Sequence, residues 1–119
     1  LIGHLSTGHR PRVELAAGFA KRVPYYLMDE PFLGKDPFTR RDFIKLMSAT
    51  LTGGETLLLS THYIEDVDHF LDRALILHNG RIAAYFPDAS KVTEEELGEY
   101  MLGVKTMSPE EVKEVADCE

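Results

Sequence analysis

Two adjacent carboxylates, Asp29 and Glu30, close a short apolar run, Tyr25-Tyr26-Leu27-Met28, and are followed by Pro31. A second apolar run, Thr56-Leu57-Leu58-Leu59-Ser60, leads into Thr61 and His62. Neighbouring residues at the end of a strand point in different directions. One of the two acids is therefore able to hold a metal through water while the other faces a nucleophile. An imidazole brought to the same rim adds a hydrogen-bond donor. A buried strand ending in two acids needs a reason, because an unpaired buried carboxylate costs several kcal/mol or takes up a proton. A strand that simply runs into a solvated acidic turn is the plain alternative.

The elements that must carry these residues read as α/β. Short unbroken apolar runs suit parallel strands covered on both faces, and the carboxyl ends of such strands are where open α/β sheets bind ligands. Both runs are therefore expected to be buried strands. Between them, Asp36-Pro37 is an N-cap followed by proline at the first helical position. The helix it opens runs to about Leu51, with Phe43, Ile44, Met47 and Leu51 on one face, and Gly53-Gly54 stops it. A further helix is expected directly after His62, from Ile64, Val67 and Leu71 at helical spacing. Ala74–His78 is a third strand. Asn79-Gly80 is a two-residue hairpin turn, and Arg81 to Tyr85 returns antiparallel.

Ahead of the first strand, Ser6 is a candidate N-cap, and Thr7 and Gly8 are small enough for backbone N–H groups to approach an anion. Val13, Leu15, Ala16, Phe19 and Ala20 make an apolar helical face behind them, although Pro11 argues for a helix starting nearer Arg10. Beyond the hairpin, Thr93 to Glu96 and Ser108 to Glu111 are capping-box signatures, the second with Pro109 at the first helical position.

The chain has 119 residues, 44% hydrophobic and 28% charged, enough for one soluble core. No apolar run approaches the roughly 18 residues of a membrane span. One cysteine, Cys118, allows no internal disulfide. Residues 1–87 hold ten acids and ten Lys or Arg, whereas 88–119 hold ten acids and three Lys, so the net charge of −7 belongs to the tail. No basic footprint for nucleic acid is present, and no two of the five histidines are spaced as a metal-binding pair.

Taken together and in order, these motifs resemble the second half of an ABC-transporter ATPase domain over roughly residues 5–85. Leu5-Ser6-Thr7-Gly8-His9 is similar to the signature loop, usually Leu-Ser-Gly-Gly-Gln; Ser6 and Gly8 match, while Thr7 and His9 depart. Leu27-Met28-Asp29-Glu30-Pro31 resembles the Walker B segment. Gly34-Lys35-Asp36 stands in the D-loop, normally Ser-Gly-Leu-Asp, with Gly34 and Asp36 matching. The resemblance implies ATP and Mg²⁺ as ligands. It implies Mg²⁺ held by Asp29, Glu30 as general base, His62 as the switch histidine on the γ-phosphate, Ser6 and Gly8 closing on the nucleotide of an opposite subunit, and Asp36 coupling two sites. The implied fold is a partial P-loop NTPase core with parallel strands, an antiparallel hairpin and an acidic helical tail, divided as 1–87 and 88–119. The implied partners are a second ATPase subunit and a membrane permease, at the cytoplasmic face of the membrane.

Gly-x-x-x-x-Gly-Lys-Ser/Thr occurs nowhere in the chain, nor do the upstream glutamine switch and the adenine-stacking aromatic. The chain also opens at Leu1, without Met, just before a motif. We therefore expect a fragment that binds ATP poorly and hydrolyses none by itself. Two other readings fit fewer of the residues. ATPases of DNA repair and chromosome structure share the core, but no sustained heptads of their coiled coils occur here. A half-domain kept as a non-catalytic interaction module would not need Asp29, Glu30 and His62.

Overall fold

A computed structural model describes residues 16–118. The expected signature-loop residues Ser6 and Gly8 lie outside the described residues. Two compact units divide the chain, Leu1–His62 and Tyr63–Glu119.

In the first unit, residues 16–20 are helical and lead to strand β1, Tyr25–Asp29. Helix α1, Pro37–Thr50, follows, and then β2, Thr56–Ser60. β1 and β2 pair in parallel, with Tyr25 opposite Thr56 and Asp29 opposite Ser60. The helix begins where Asp36 caps it, its carboxylate accepting from the N–H groups of Phe38 and Thr39, with Pro37 in the first turn. Phe43, Ile44 and Met47 recur at helical spacing and are buried, as is Phe32 in the loop before the helix. The rings of Phe32 and Phe43 meet edge to face at 5.7 Å.

The strands differ from the expectation of burial on both faces. Exposure alternates along each, and Tyr25, Leu27 and Leu58 are 71%, 78% and 65% exposed. Period-2 alternation is what a sheet with one covered face produces, and the apolar character of the run does not fix which neighbours cover it.

The second unit opens with a three-residue 3₁₀ turn, Ile64–Asp66, instead of the expected helix. The turns that follow alternate between three- and four-residue bonds, as Val67 and Asp68 both donate to Ile64 O. Asp68 accepts from the N–H of His69 through its carboxylate, which offers the backbone an alternative to helix. Strands β3, Ala74–His78, and β4, Arg81–Phe86, form the antiparallel hairpin, with an irregularity between Ile76 and Leu77. Asn79 and Gly80 both take positive φ, 48° and 73°, as a two-residue hairpin turn requires. A 3₁₀ turn, Ala89–Lys91, then leads to α2, Glu94–Met101, and α3, Pro109–Asp117. Thr93 caps α2, and Ser108 with Glu111 forms a complete capping box on α3. Ile76, Ala83, Ala84 and Leu97 make the core of this unit, with Phe86, Tyr100 and Met107 packed around it. The acidic helix α2 thus shares a core with the hairpin.

Candidate functional site

The parallel register sets the geometry of the site. Asp29 and Ser60 are the last residues of adjacent strands and face each other. Glu30 follows directly, and His62 lies two residues beyond Ser60. The Ser60 hydroxyl donates to Asp29 Oδ1 and accepts from the Glu30 backbone N–H at 3.0 Å. The same N–H also reaches the Ser60 carbonyl at 3.0 Å, which continues the ladder one step past the strand. Glu30 takes φ 44°, a left-handed conformation that costs a non-glycine residue about 1–2 kcal/mol. That turn carries its carboxylate to His62, with Glu30 Oε1 and His62 Nδ1 3.0 Å apart. The imidazole side chain is 52% exposed and that of Glu30 32%. Glu30 Oε2 is closed off from solvent and has no hydrogen-bond partner among the described residues.

The loop after Glu30 is held from below. Leu33 N–H returns to Glu30 O and Lys35 N–H to Phe32 O. Lys35, which departs from the D-loop pattern, donates through Nζ to Pro31 O at 2.7 Å and lies over the Phe43 ring. The buried Arg40 donates to Lys35 O at 3.2 Å. Asp36 caps its own helix. The Thr39 hydroxyl, and then the Thr39 and Phe38 N–H groups, hold its carboxyl below the usual carboxylate range.

The structure therefore gathers Asp29, Glu30 and His62 on one rim, while the contacts of Asp36 are those of a helix cap. Residue types and spacing do not single out Ser60. Its contacts follow from strand register, for which the only sequence signal is a hydroxyl at the end of an apolar run. Chemically, the rim offers a carboxylate braced by a hydroxyl, a second carboxylate with one oxygen free of donors, and an imidazole able to donate. Among the described residues no group of three or more His, Cys, Asp or Glu is placed to hold a metal ion. That excludes a cage made of these residues alone.

No protein-family profile matches the chain. It is 35% identical over 81 residues to the ABC-type transporter ATP-binding protein EcsA of Bacillus subtilis, a stretch covering 68% of this chain and 33% of that protein. It is 33% identical over 106 residues to the thiamine import ATP-binding protein ThiQ of Escherichia coli, covering 88% of this chain and 46% of the relative. The crystal structure of the ADP conformation of an ATP-binding cassette of an ABC transporter superposes with a TM-score of 0.63 at 25% identity, over 98% of this chain and 42% of that one. The chain is a partial homologue of the ABC-transporter ATP-binding proteins. Its α/β fold is part of the P-loop NTPase core of these ABC ATPases, and it spans less than half the length of the relatives named. No helix among the described residues is long and apolar enough to cross a membrane.

Proposed function

We propose that this chain supplies the hydrolytic carboxylates and the switch histidine of an ABC-type ATPase that powers transport across a membrane. The observation that carries the reading is the 3.0 Å contact of Glu30 with His62 beside Asp29, at the carboxyl ends of two paired parallel strands. Hydrolysis of ATP is catalysed by positioning a water in line with the γ-phosphate and by stabilising the charge that develops there. Glu30 orients and deprotonates that water, with its carboxylate held beside His62. His62 hydrogen-bonds the γ-phosphate. Asp29 would hold the Mg²⁺ of Mg-ATP, through water, which supplies charge neutralisation on the phosphates. Asp36 couples two sites across a dimer, and Ser6 and Gly8 close on the nucleotide of the opposite subunit. Residues 1–87 form the ATPase part and 88–119 an acidic helical tail.

The partners in this reading are a second ATPase subunit and a membrane permease, and the place of work is the cytoplasmic face of the membrane. The chain carries no Gly-x-x-x-x-Gly-Lys-Ser/Thr, whose backbone N–H groups and lysine would cradle the phosphates. The 119 residues by themselves are therefore expected to bind ATP weakly and to hydrolyse none. Two measurements test the proposal. Pure 119-residue chain is assayed for phosphate release from Mg-ATP, where any turnover abolished by Glu30→Gln overturns the expected inactivity. The same substitution in the assembled transporter ATPase must stop turnover while ATP still binds, and unchanged turnover there removes Glu30 from the mechanism.

A further inference from the structure

We infer that Ser60 is a positioning residue for the two acids, an inference that rests on the ATPase reading of the site. Its hydroxyl makes two contacts at once, donating to Asp29 Oδ1 and accepting from the Glu30 N–H. The two acids have different needs. Asp29 is the acid this reading assigns to Mg²⁺, and a donor on Oδ1 limits the rotation of its carboxylate. Glu30 must stay in a left-handed turn that its side chain disfavours, and its N–H is the group that Ser60 holds through both hydroxyl and carbonyl. One hydroxyl therefore ties the strand that ends in the acids to the strand that leads into His62. Ser60 stands opposite Asp29 in the ladder, so its side chain and that of Asp29 emerge on the same face of the sheet. Alanine keeps the carbonyl bond and loses both hydroxyl contacts; threonine keeps the hydroxyl and suits a strand.

The test uses Ser60→Ala and Ser60→Thr in two settings. In the 119-residue chain, NMR reads the Glu30 coupling between amide and α protons, which reports φ, and the carboxyl carbon shift of Asp29. Both are expected to move in Ser60→Ala and to return in Ser60→Thr, with Phe43 and Met47 resonances unchanged as a check on folding. In the assembled ATPase, Ser60→Ala is expected to lower kcat about tenfold or more, from loss of a hydrogen bond to a charged group. KM for Mg-ATP should stay within about twofold, because a misaimed base weakens the chemical step more than ground-state binding. Ser60→Thr should recover most of kcat. An unmoved Glu30 coupling and Asp29 shift in Ser60→Ala overturn the inference, and so does an unchanged kcat. If the unsubstituted assembly turns over no ATP, the ATPase reading fails. The NMR comparison then decides by itself whether Ser60 sets the two acids.

Discussion

Glu30 Oε1 and His62 Nδ1 lie 3.0 Å apart, although the residues are separated by an entire helix and strand. Parallel pairing of β1 with β2 brings them together, and the left-handed turn at Glu30 closes the remaining gap. Under the proposed function, the pair predicts distinct outcomes for two substitutions in the assembled ATPase. Glu30→Gln keeps the length of the side chain and its ability to bond His62 but cannot take a proton from water. Turnover should fall by about 100- to 10,000-fold, the usual worth of a positioned general base, with nucleotide affinity preserved. His62→Ala should also lower kcat, and the double variant should cost less than the two losses multiplied, since residues acting as a unit are non-additive. Steady-state phosphate release and a filter-binding assay for ATP check this, and fully multiplicative losses would separate the two residues.

Burial predicts a contrast between two apolar residues of the first unit. Met47 is 0% exposed, and Leu27 is 78% exposed. Met47→Ala should destabilise the unit by about 2–5 kcal/mol, from lost burial and the cavity left behind. Leu27→Ala, on the open face of β1, should change stability by no more than about 0.5 kcal/mol. Urea unfolding of the 119-residue chain, followed by residue-resolved hydrogen exchange, measures both. An equal loss from the two would mean that the outer face of β1 is covered in solution.

That contrast also marks what the sequence conveys. Elements with a local chemical signal were legible: Asp36-Pro37 opening α1, Asn79-Gly80 turning the hairpin, Ser108-Pro109 with Glu111 starting α3. The two strands and the convergence of Asp29, Glu30 and His62 were legible as well, because strand ends in a parallel pair meet on one side. The depth of the strands was not, since Leu27 and Leu58 have the same character whether covered or bare. Where a helix is expected after His62 the chain forms short turns, in which the Asp68 carboxylate accepts the His69 N–H, a contact that hydrophobic spacing does not weigh. The grip of Ser60 on both acids depends on register between strands 30 residues apart, which no local pattern encodes.

Gly103, just past the end of α2, predicts a third effect. Its φ is +75°, and a Cβ there would sit 2.5 Å from His78 Nε2. The imidazole is not free to swing aside, because Nδ1 bonds Met101 O at 3.0 Å and Nε2 meets the Asn79 amide at 3.1 Å. Gly103→Ala should destabilise the second unit by about 1–3 kcal/mol, combining left-handed strain with the displaced ring. Adding His78→Ala removes the collision but leaves the strain, so the double variant should be more stable than the sum of the two single losses implies. Thermal unfolding of the four proteins closes the cycle, and simple additivity would show that ring and Cβ never meet.

Acid should weaken the fold through carboxylates that accept hydrogen bonds in the folded chain. Asp36 is held below its ordinary value by the Thr39 hydroxyl, Glu55 by the Thr52 hydroxyl, Asp68 by the His69 side chain, Asp88 by the Ser90 hydroxyl and Glu111 by the Ser108 N–H. A carboxyl with a depressed pKa in the folded state contributes stability that is fully present above its unfolded value, 3.8 for Asp and 4.5 for Glu, and is lost as pH falls through the folded value. The melting temperature should therefore hold steady from neutral pH down to about 5 and decline below about 4.5. All five groups lie at the surface, so each contribution is screened and small. Asp36→Asn isolates one of them, because asparagine still caps a helix but does not titrate. It should leave the melting temperature near neutral pH little changed and reduce the slope below about pH 3.8. The Lys105–Glu99 pair acts at the other end of the scale. Its raised lysine contributes below the ordinary value of 10.5, and that contribution is lost only as pH rises through the folded value. A melting temperature that stays flat between pH 5 and pH 3 in the unsubstituted chain would show that these hydrogen bonds add nothing to folding.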